Sequence, residues 1–257
     1  MKKSFLYLVW STLFFPLHSF ASANDLSLKK IQENKILKVC SDAGFLPFEM
    51  MTSEGEWTGY DIDMMKDFAA NIGVRLNMVQ YEFSGIIPAL ISNKCDMIAA
   101  GMTVTPERSE VLLFSDTVFI NGISIVLKNT PENLKIKSLH DLDNNNIKIG
   151  VKTGYTSDIF LTSQMRKAQI TRFNLDSNLL LGIMENRIQA LATDTTYVRS
   201  IQKNYKDKLI SLPIKLPVQK FSVAAKKRDV ALIHAFNAFF KKWSKSGQRD
   251  AVIKKYF

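Results

Sequence analysis

The chain has 257 residues, 46% of them hydrophobic and 23% charged. That composition suits one or two packed cores and excludes a low-complexity or disordered chain. The formal charge is +10, but the basic residues are scattered, with short runs only at Lys226-Lys227-Arg228, Lys241-Lys242 and Lys254-Lys255. Solvated surface explains such runs. A nucleic-acid partner calls for basic and aromatic residues gathered on one face, so none is expected.

Lys2 and Lys3 open the chain, an apolar stretch covers residues 5–15, and Ala21-Ser22-Ala23 forms a small-x-small cleavage site. This layout predicts a secretory signal peptide over residues 1–23 and a mature chain from near Asn24, free in the periplasm. A membrane anchor or a buried first helix is the alternative, although the apolar run is short for a span of about 20 residues. No Cys follows the cut, which argues against a lipid anchor, and no later segment is apolar for long enough to cross a bilayer.

An amphipathic helix is expected over residues 26–33 and a strand over 36–40. A loop over 41–48 leads to a hairpin around Glu54-Gly55. Ile62, Met65, Ala69 and Ile72 then recur at helical spacing, with Gly73 as the C-cap. A strand (75–79), a helix (85–92) and a short strand (97–100) follow. The alternation restarts with strands over 147–151, 170–173 and 190–192, separated by helices over 157–167 and 177–187. Asp194 opens another helix, residues 221–225 read as a strand, and 230–243 and 248–257 as helices. Strands alternating with helices imply two α/β units, each with a mainly parallel sheet. The junctions near 118–122 and 217–221 are strand-like, as suits two crossings between packed lobes.

Cys40 and Cys95 are the only cysteines. An exported protein can hold a disulfide, but its geometry is not legible in a sequence. The expectation is two buried thiols.

Loops after strand ends are where open α/β sheets place ligands. The first, residues 41–48, carries Asp42 and Phe45; Asp42 could equally cap a turn and Phe45 belong to the core. The second, Gly101-Met102-Thr103-Val104-Thr105-Pro106-Glu107-Arg108, starts a helix with Thr105 as N-cap and Pro106 at its first position. That terminus suits an anion, and Arg108 can fork onto a carboxylate; the alternative is an Arg108 paired with Glu107 or Glu110. The third, Lys152-Thr153-Gly154-Tyr155-Thr156-Ser157, lacks the ending of a phosphate loop. The fourth, Thr193-Asp194-Thr195, holds a carboxylate that could bind a ligand or only cap the next helix. His140 and His234 stand near no nucleophile motif, and no zinc-ligand cluster occurs. Neither catalytic residues, metal nor cofactor are expected.

Taken together, these stretches resemble the family-3 periplasmic solute-binding proteins of amino-acid ABC transporters, across residues 36–257. Trp57-Thr58-Gly59-Tyr60-Asp61-Ile62-Asp63-Met64 is similar to that family's Gly-aromatic-Asp-x-Asp signature. Phe83-Ser84-Gly85-Ile86-Ile87-Pro88-Ala89-Leu90, the Thr-Pro-Glu-Arg turn and Phe114-Ser115-Asp116 follow in the same order; Phe68 departs, standing where a smaller aliphatic residue is usual. The resemblance implies a two-lobed (type II) α/β binding protein, each lobe a mainly parallel sheet flanked by helices. Lobe 1 would take residues 24–117 and 222–257 and lobe 2 residues 123–216, with hinge strands at 118–122 and 217–221.

The resemblance also implies that Arg108 clamps a ligand's α-carboxylate, aided by the Thr103 backbone. Asp194, with the Gly101 carbonyl and the Thr103 hydroxyl, would receive the α-ammonium. Phe45 and Phe83 would flank the ligand's side chain, with Asp42 and Lys152 near its tip. Thr156 joins the expected ligand-binding set, although Thr156 and Thr193 depart from the glutamine-type pattern that the other residues resemble most. The implied function is reception of a polar free L-amino acid, glutamine ahead of arginine, lysine or histidine, by a monomer that delivers it to an inner-membrane ABC permease. Periplasmic cyclohexadienyl dehydratases resemble the same scaffold, and a sensing partner of a membrane receptor is a further alternative.

Overall fold

A computed structural model describes residues 25–257; the expected signal peptide lies outside the described residues. Among the described residues no helix is long and apolar enough to cross a membrane.

The first lobe begins with helix α1 (Ser27–Asn34) and strand β1 (Ile36–Ser41), followed by a hairpin of β2 (Met50–Met51) and β3 (Trp57–Thr58). Helix α2 (Tyr60–Asn71), β4 (Arg75–Gln80), α3 (Phe83–Ile91), β5 (Met97–Ile98), α4 (Pro106–Val111) and β6 (Leu112–Phe114) complete this run. β7 (Phe119–Lys128) crosses to the second lobe, which holds α5 (Leu139–Leu142), β8 (Lys148–Lys152), α6 (Thr156–Gln164) and β9 (Gln169–Phe173). It continues with α7 (Asp176–Met184), β10 (Ala190–Asp194), α8 (Thr195–Tyr205) and β11 (Leu209–Ser211). β12 (Val218–Phe221) returns to the first lobe, which closes with β13 (Ala224–Lys226), α9 (Val230–Lys245) and α10 (Gln248–Tyr256).

The first sheet runs β4-β1-β5-β13-β6 and the second β11-β7-β10-β8-β9, with β12 paired to β7. Each sheet is mixed. β4, β1 and β5 are parallel, as are β10, β8 and β9, whereas β13, β6, β7 and β11 join through antiparallel pairs. Each βαβ crossover produces a parallel neighbour, and strands arriving from the other lobe enter antiparallel.

Three expectations need adjustment. The strand expected over 221–225 is two strands, because the chain leaves the β12–β7 ribbon at Phe221 and joins the first sheet only at Ala224. β7 runs far beyond the expected junction, since it is both a crossing and a full member of the second sheet. Cys40 and Cys95 are not free thiols but a disulfide, Cα–Cα 5.7 Å. β1 and β5 are adjacent, with Cys40 opposite Ile98, so Cys95 enters β5 beside Cys40. That neighbour relation arises from a crossover of 55 residues.

The apolar spacing read in α2 is real: Ile62, Met65 and Ala69 are buried, Met65 and Ala69 in one core with Phe68, Phe236 and Leu37. The departing Phe68 meets Phe236 and Phe239 at centroid distances of 5.2 and 5.4 Å, so the large side chain fills space between α2 and α9. α10 is tied to α2 by Lys255–Asp63 (2.7 Å) and by the Tyr256 hydroxyl, which donates to the same carboxylate at 2.8 Å. Gly59 starts α2 at φ +128°, and a Cβ there would lie 2.2 Å from the Phe48 carbonyl oxygen. Only glycine lets the 45–49 loop close over the helix entry. The second core gathers Ile125, Leu127, Ile149, Val151, Leu161, Ala190 and Ala192.

Candidate functional site

Five groups singled out in the sequence stand at or just after the C-terminal ends of strands, as the crossover geometry of open α/β sheets requires. Asp42 follows β1, Gly101 and Thr103 follow β5, Lys152 ends β8 and Asp194 ends β10. Phe45 lies in the loop after β1, Phe83 opens α3, Arg108 sits in α4 and Thr156 opens α6. The two lobes face each other across these ends, so side chains distant in sequence meet in a buried cleft.

Arg108 pairs with neither Glu107 nor Glu110. Thr105 caps α4 by accepting from the Arg108 backbone N–H (3.2 Å), which turns the side chain inward. Its guanidinium is buried, donates to the carbonyls of Thr103 (2.8 Å) and, across the cleft, Gly154 (3.0 Å), and lies 5.1 Å from the Phe83 ring centre. Asp194 comes from the opposite lobe. It occupies the N-cap position of α8 without capping it, and its Oδ1 is buried with no hydrogen-bond partner. Burial, reinforced by the charge of Asp176, pushes its carboxyl up to about 8 against the Gln219 amide and the charges of Lys152 and Arg108. A carboxylate so placed gains from a cationic partner.

Gly101 takes φ +51°, and a Cβ on it would lie 2.5 Å from the Phe45 ring. Its N–H donates to Asp61 Oδ2 at 2.9 Å, so the signature aspartate on α2 positions the loop from behind. Burial drives the Asp61 carboxyl up to about 7 even with that bond. Thr103 is buried and bridges Phe221 on the returning strand. Thr156 accepts from the amide of Gln219 on β12, which links the α6 entry to a crossing strand.

The aromatic wall has a member that the sequence reading missed. Tyr155 lies edge-on between Phe45 (5.6 Å) and Phe83 (4.3 Å), and its buried hydroxyl has no partner. Beyond it, 4.8 Å from its ring, stands Lys152 Nζ. The lysine is 1% exposed, pairs with Asp42 across the cleft at 2.6 Å, and donates to Asp176 of its own lobe. Burial opposes the lysine's charge, but Asp176 and Asp42 outweigh it and raise its pKa. Burial lifts Asp42 to about 6 despite the lysine. Asp42 therefore caps no turn but is one arm of a buried ion cluster.

Asp176 and Glu49 are the other acids missed in the sequence. Asp176 begins α7 directly after β9; the strand-end rule, applied to β9 as it was to the other strands, would have found it. Glu49 is fully buried with both carboxylate oxygens unpartnered, and burial with the nearby charges of Asp61 and Asp42 pushes its pKa well up. Gln219 carried no sequence signal, because only the pairing of β12 with β7 brings it to the cleft. Among the described residues no cluster of His, Cys, Asp and Glu could hold a metal.

Two α/β lobes joined by two strands, with opposed charges buried between them, define a bilobal solute-binding protein. The chain belongs to family 3 of the bacterial extracellular solute-binding proteins, whose model matches residues 37–257. It is 27% identical to a probable histidine-binding protein of Neisseria gonorrhoeae, over 91% of this chain and 87% of that protein. It is 23% identical to a cyclohexadienyl dehydratase of Pseudomonas aeruginosa, over 99% and 94%. Among solved structures, a mutant of ArgBP from T. maritima superposes with a TM-score of 0.84 at 31% identity, covering 90% of this chain and 99% of that one.

Proposed function

We propose that the protein is a periplasmic receptor that closes two lobes around a polar free L-amino acid and delivers it to an inner-membrane ABC permease. The observation that carries this reading is the opposition of Arg108 from the first lobe and Asp194 from the second in one buried cleft. A zwitterion matches that pair, its carboxylate on the guanidinium and its ammonium on the unpartnered Asp194 oxygen. Residues 118–122 and 217–221 act as the hinge, and a ligand touching both lobes favours closure. Gly101, Thr103 and Thr156 line the α-group end, Phe45 and Phe83 the side chain, Asp42 and Lys152 its tip. Glutamine fits as acceptor on Lys152 and donor to Asp42; arginine, lysine and histidine fit the acids. Export is supported by the basic, apolar and small-residue layout of residues 1–23 and by the Cys40–Cys95 disulfide, which an oxidising compartment maintains.

The test is a thermal-shift screen against the twenty amino acids, on protein unfolded and refolded to strip carried-over ligand. A ligand of the native state adds about 2.7 kcal/mol at a hundredfold excess over Kd. A shift confined to polar amino acids is the expected result, and no shift with any of them overturns the proposal. The buried Glu49 gives a dehydratase reading one specific support, a carboxyl near Asp42 whose pKa burial and the neighbouring acids raise. Turnover of prephenate or arogenate by the same preparation would replace the receptor reading with that one.

A further inference from the structure

Resting on the amino-acid receptor reading, we propose that Asp176 is a specificity-determining residue that makes the far end of the pocket select a cationic side chain over the carboxamide of glutamine. The aromatic pair Phe83–Tyr155 separates the two ends of the cleft: Arg108 lies against Phe83 and Lys152 against Tyr155. An amino acid held by its α-groups at Arg108 and Asp194 therefore sends its side chain toward Lys152.

The chemistry met there depends on what holds the lysine. With Asp42 alone, Lys152 forms one ion pair and the end wall is neutral, suited to an amide that both accepts and donates. Asp176 changes the count. It takes the lysine from within the second lobe, so Asp42, facing from the first lobe, remains as surplus negative charge. Hydrogen-bond capacity gives the same answer. Asp176 Oδ1 is buried without a partner, whereas the lysine already donates to Asp176 Oδ2 and stands 2.6 Å from Asp42 Oδ2. Acceptors outnumber donors, and buried acceptors left unmade are costly. A guanidinium or ammonium supplies both the hydrogens and the charge. A carboxamide brings two hydrogens but also another acceptor, and it leaves the surplus charge uncompensated.

Calorimetric titration of refolded protein with arginine, lysine, histidine and glutamine tests this. Wild type should bind at least one cationic amino acid about tenfold or more tighter than glutamine, and Asp176→Asn should reduce that ratio by about tenfold or more, mainly through weaker cation binding. Lys152→Met removes the opposing charge and should widen the ratio; it keeps the test decisive if Asp176→Asn does not fold. A wild-type preference for glutamine, an equal loss of both ligands in Asp176→Asn, or a narrowed ratio in Lys152→Met overturns the assignment. Binding of none of the twenty amino acids fails at the earlier step and overturns the receptor reading itself.

Discussion

Burial governs how the individual site residues behave. Asp194 is held where water cannot solvate its charge, so its carboxyl titrates near 8 instead of near 4. A ligand ammonium needs the ionised form, and below pH 8 binding must therefore release a proton. Affinity for the cognate amino acid should rise by up to about tenfold per pH unit between pH 6 and pH 8, then level off. Titration calorimetry at pH 6, 7 and 8 reads this directly, and a flat wild-type profile contradicts it. Asp194→Asn should abolish this contribution and weaken binding by about 2–5 kcal/mol. Eight of the nine residues proposed for the site were legible as members of loops that follow strands, where helix starts and turn residues are local signals, and Phe83 only through the family resemblance. Tyr155, Glu49 and Gln219 were not, because an aromatic, an acid or an amide looks the same on a surface as in a cleft. Asp176 was within reach of the strand-end rule and was passed over with the loop after β9.

At the scale of elements, periodicity predicted most helices and strands within a residue or two. It faltered where an element answers to a partner far away in sequence. β12 and β13 merged in the reading because their residues are equally strand-like, and only pairing with β7 in one case and β5 in the other separates them. The disulfide has the same origin: β1 and β5 are neighbours only because α2, β4 and α3 wind around the sheet between them. Closing a loop across a sequence separation of 55 restricts the unfolded chain, and such a bond contributes about 2–5 kcal/mol. Urea unfolding of the Cys40→Ala, Cys95→Ala double variant should show that loss, with the ligand preference retained because the bond lies behind the cleft wall. Equal stability of the variant and wild type would refute it.

For the molecule as a whole, the cleft concentrates carboxyls that lose solvation when the lobes meet. Asp42, Asp61 and Asp194 sit at about 6, 7 and 8, each raised by burial above its value near 4 in an unfolded chain. The native state then binds more protons than the unfolded state across that range, so stability falls as pH rises. The Tm of ligand-stripped protein should drop from pH 5 to pH 8. The drop should be smaller with a bound amino acid, whose ammonium favours ionised Asp194. A Tm that stays constant or climbs over this range contradicts the arrangement. The formal charge of +10 is no guide here, because Lys227, Arg228, Lys241, Lys242, Lys254 and Lys255 are exposed while Asp42, Glu49, Asp61, Asp176 and Asp194 are buried.

By itself the sequence determined the two-lobed α/β alternation and the family, and it singled out Arg108 and Asp194, the two charges proposed to grip an amino acid. Each of these rests on local patterning: apolar spacing, capping residues and motifs contiguous along the chain. Only the tertiary structure decided that Cys40 meets Cys95, that Tyr155 stands between Phe45 and Phe83, and that Lys152 is shared by Asp42 and Asp176. Those relations join separate strands and separate lobes. Charge balance in a buried site depends on which groups converge there, and convergence is a property of the folded chain.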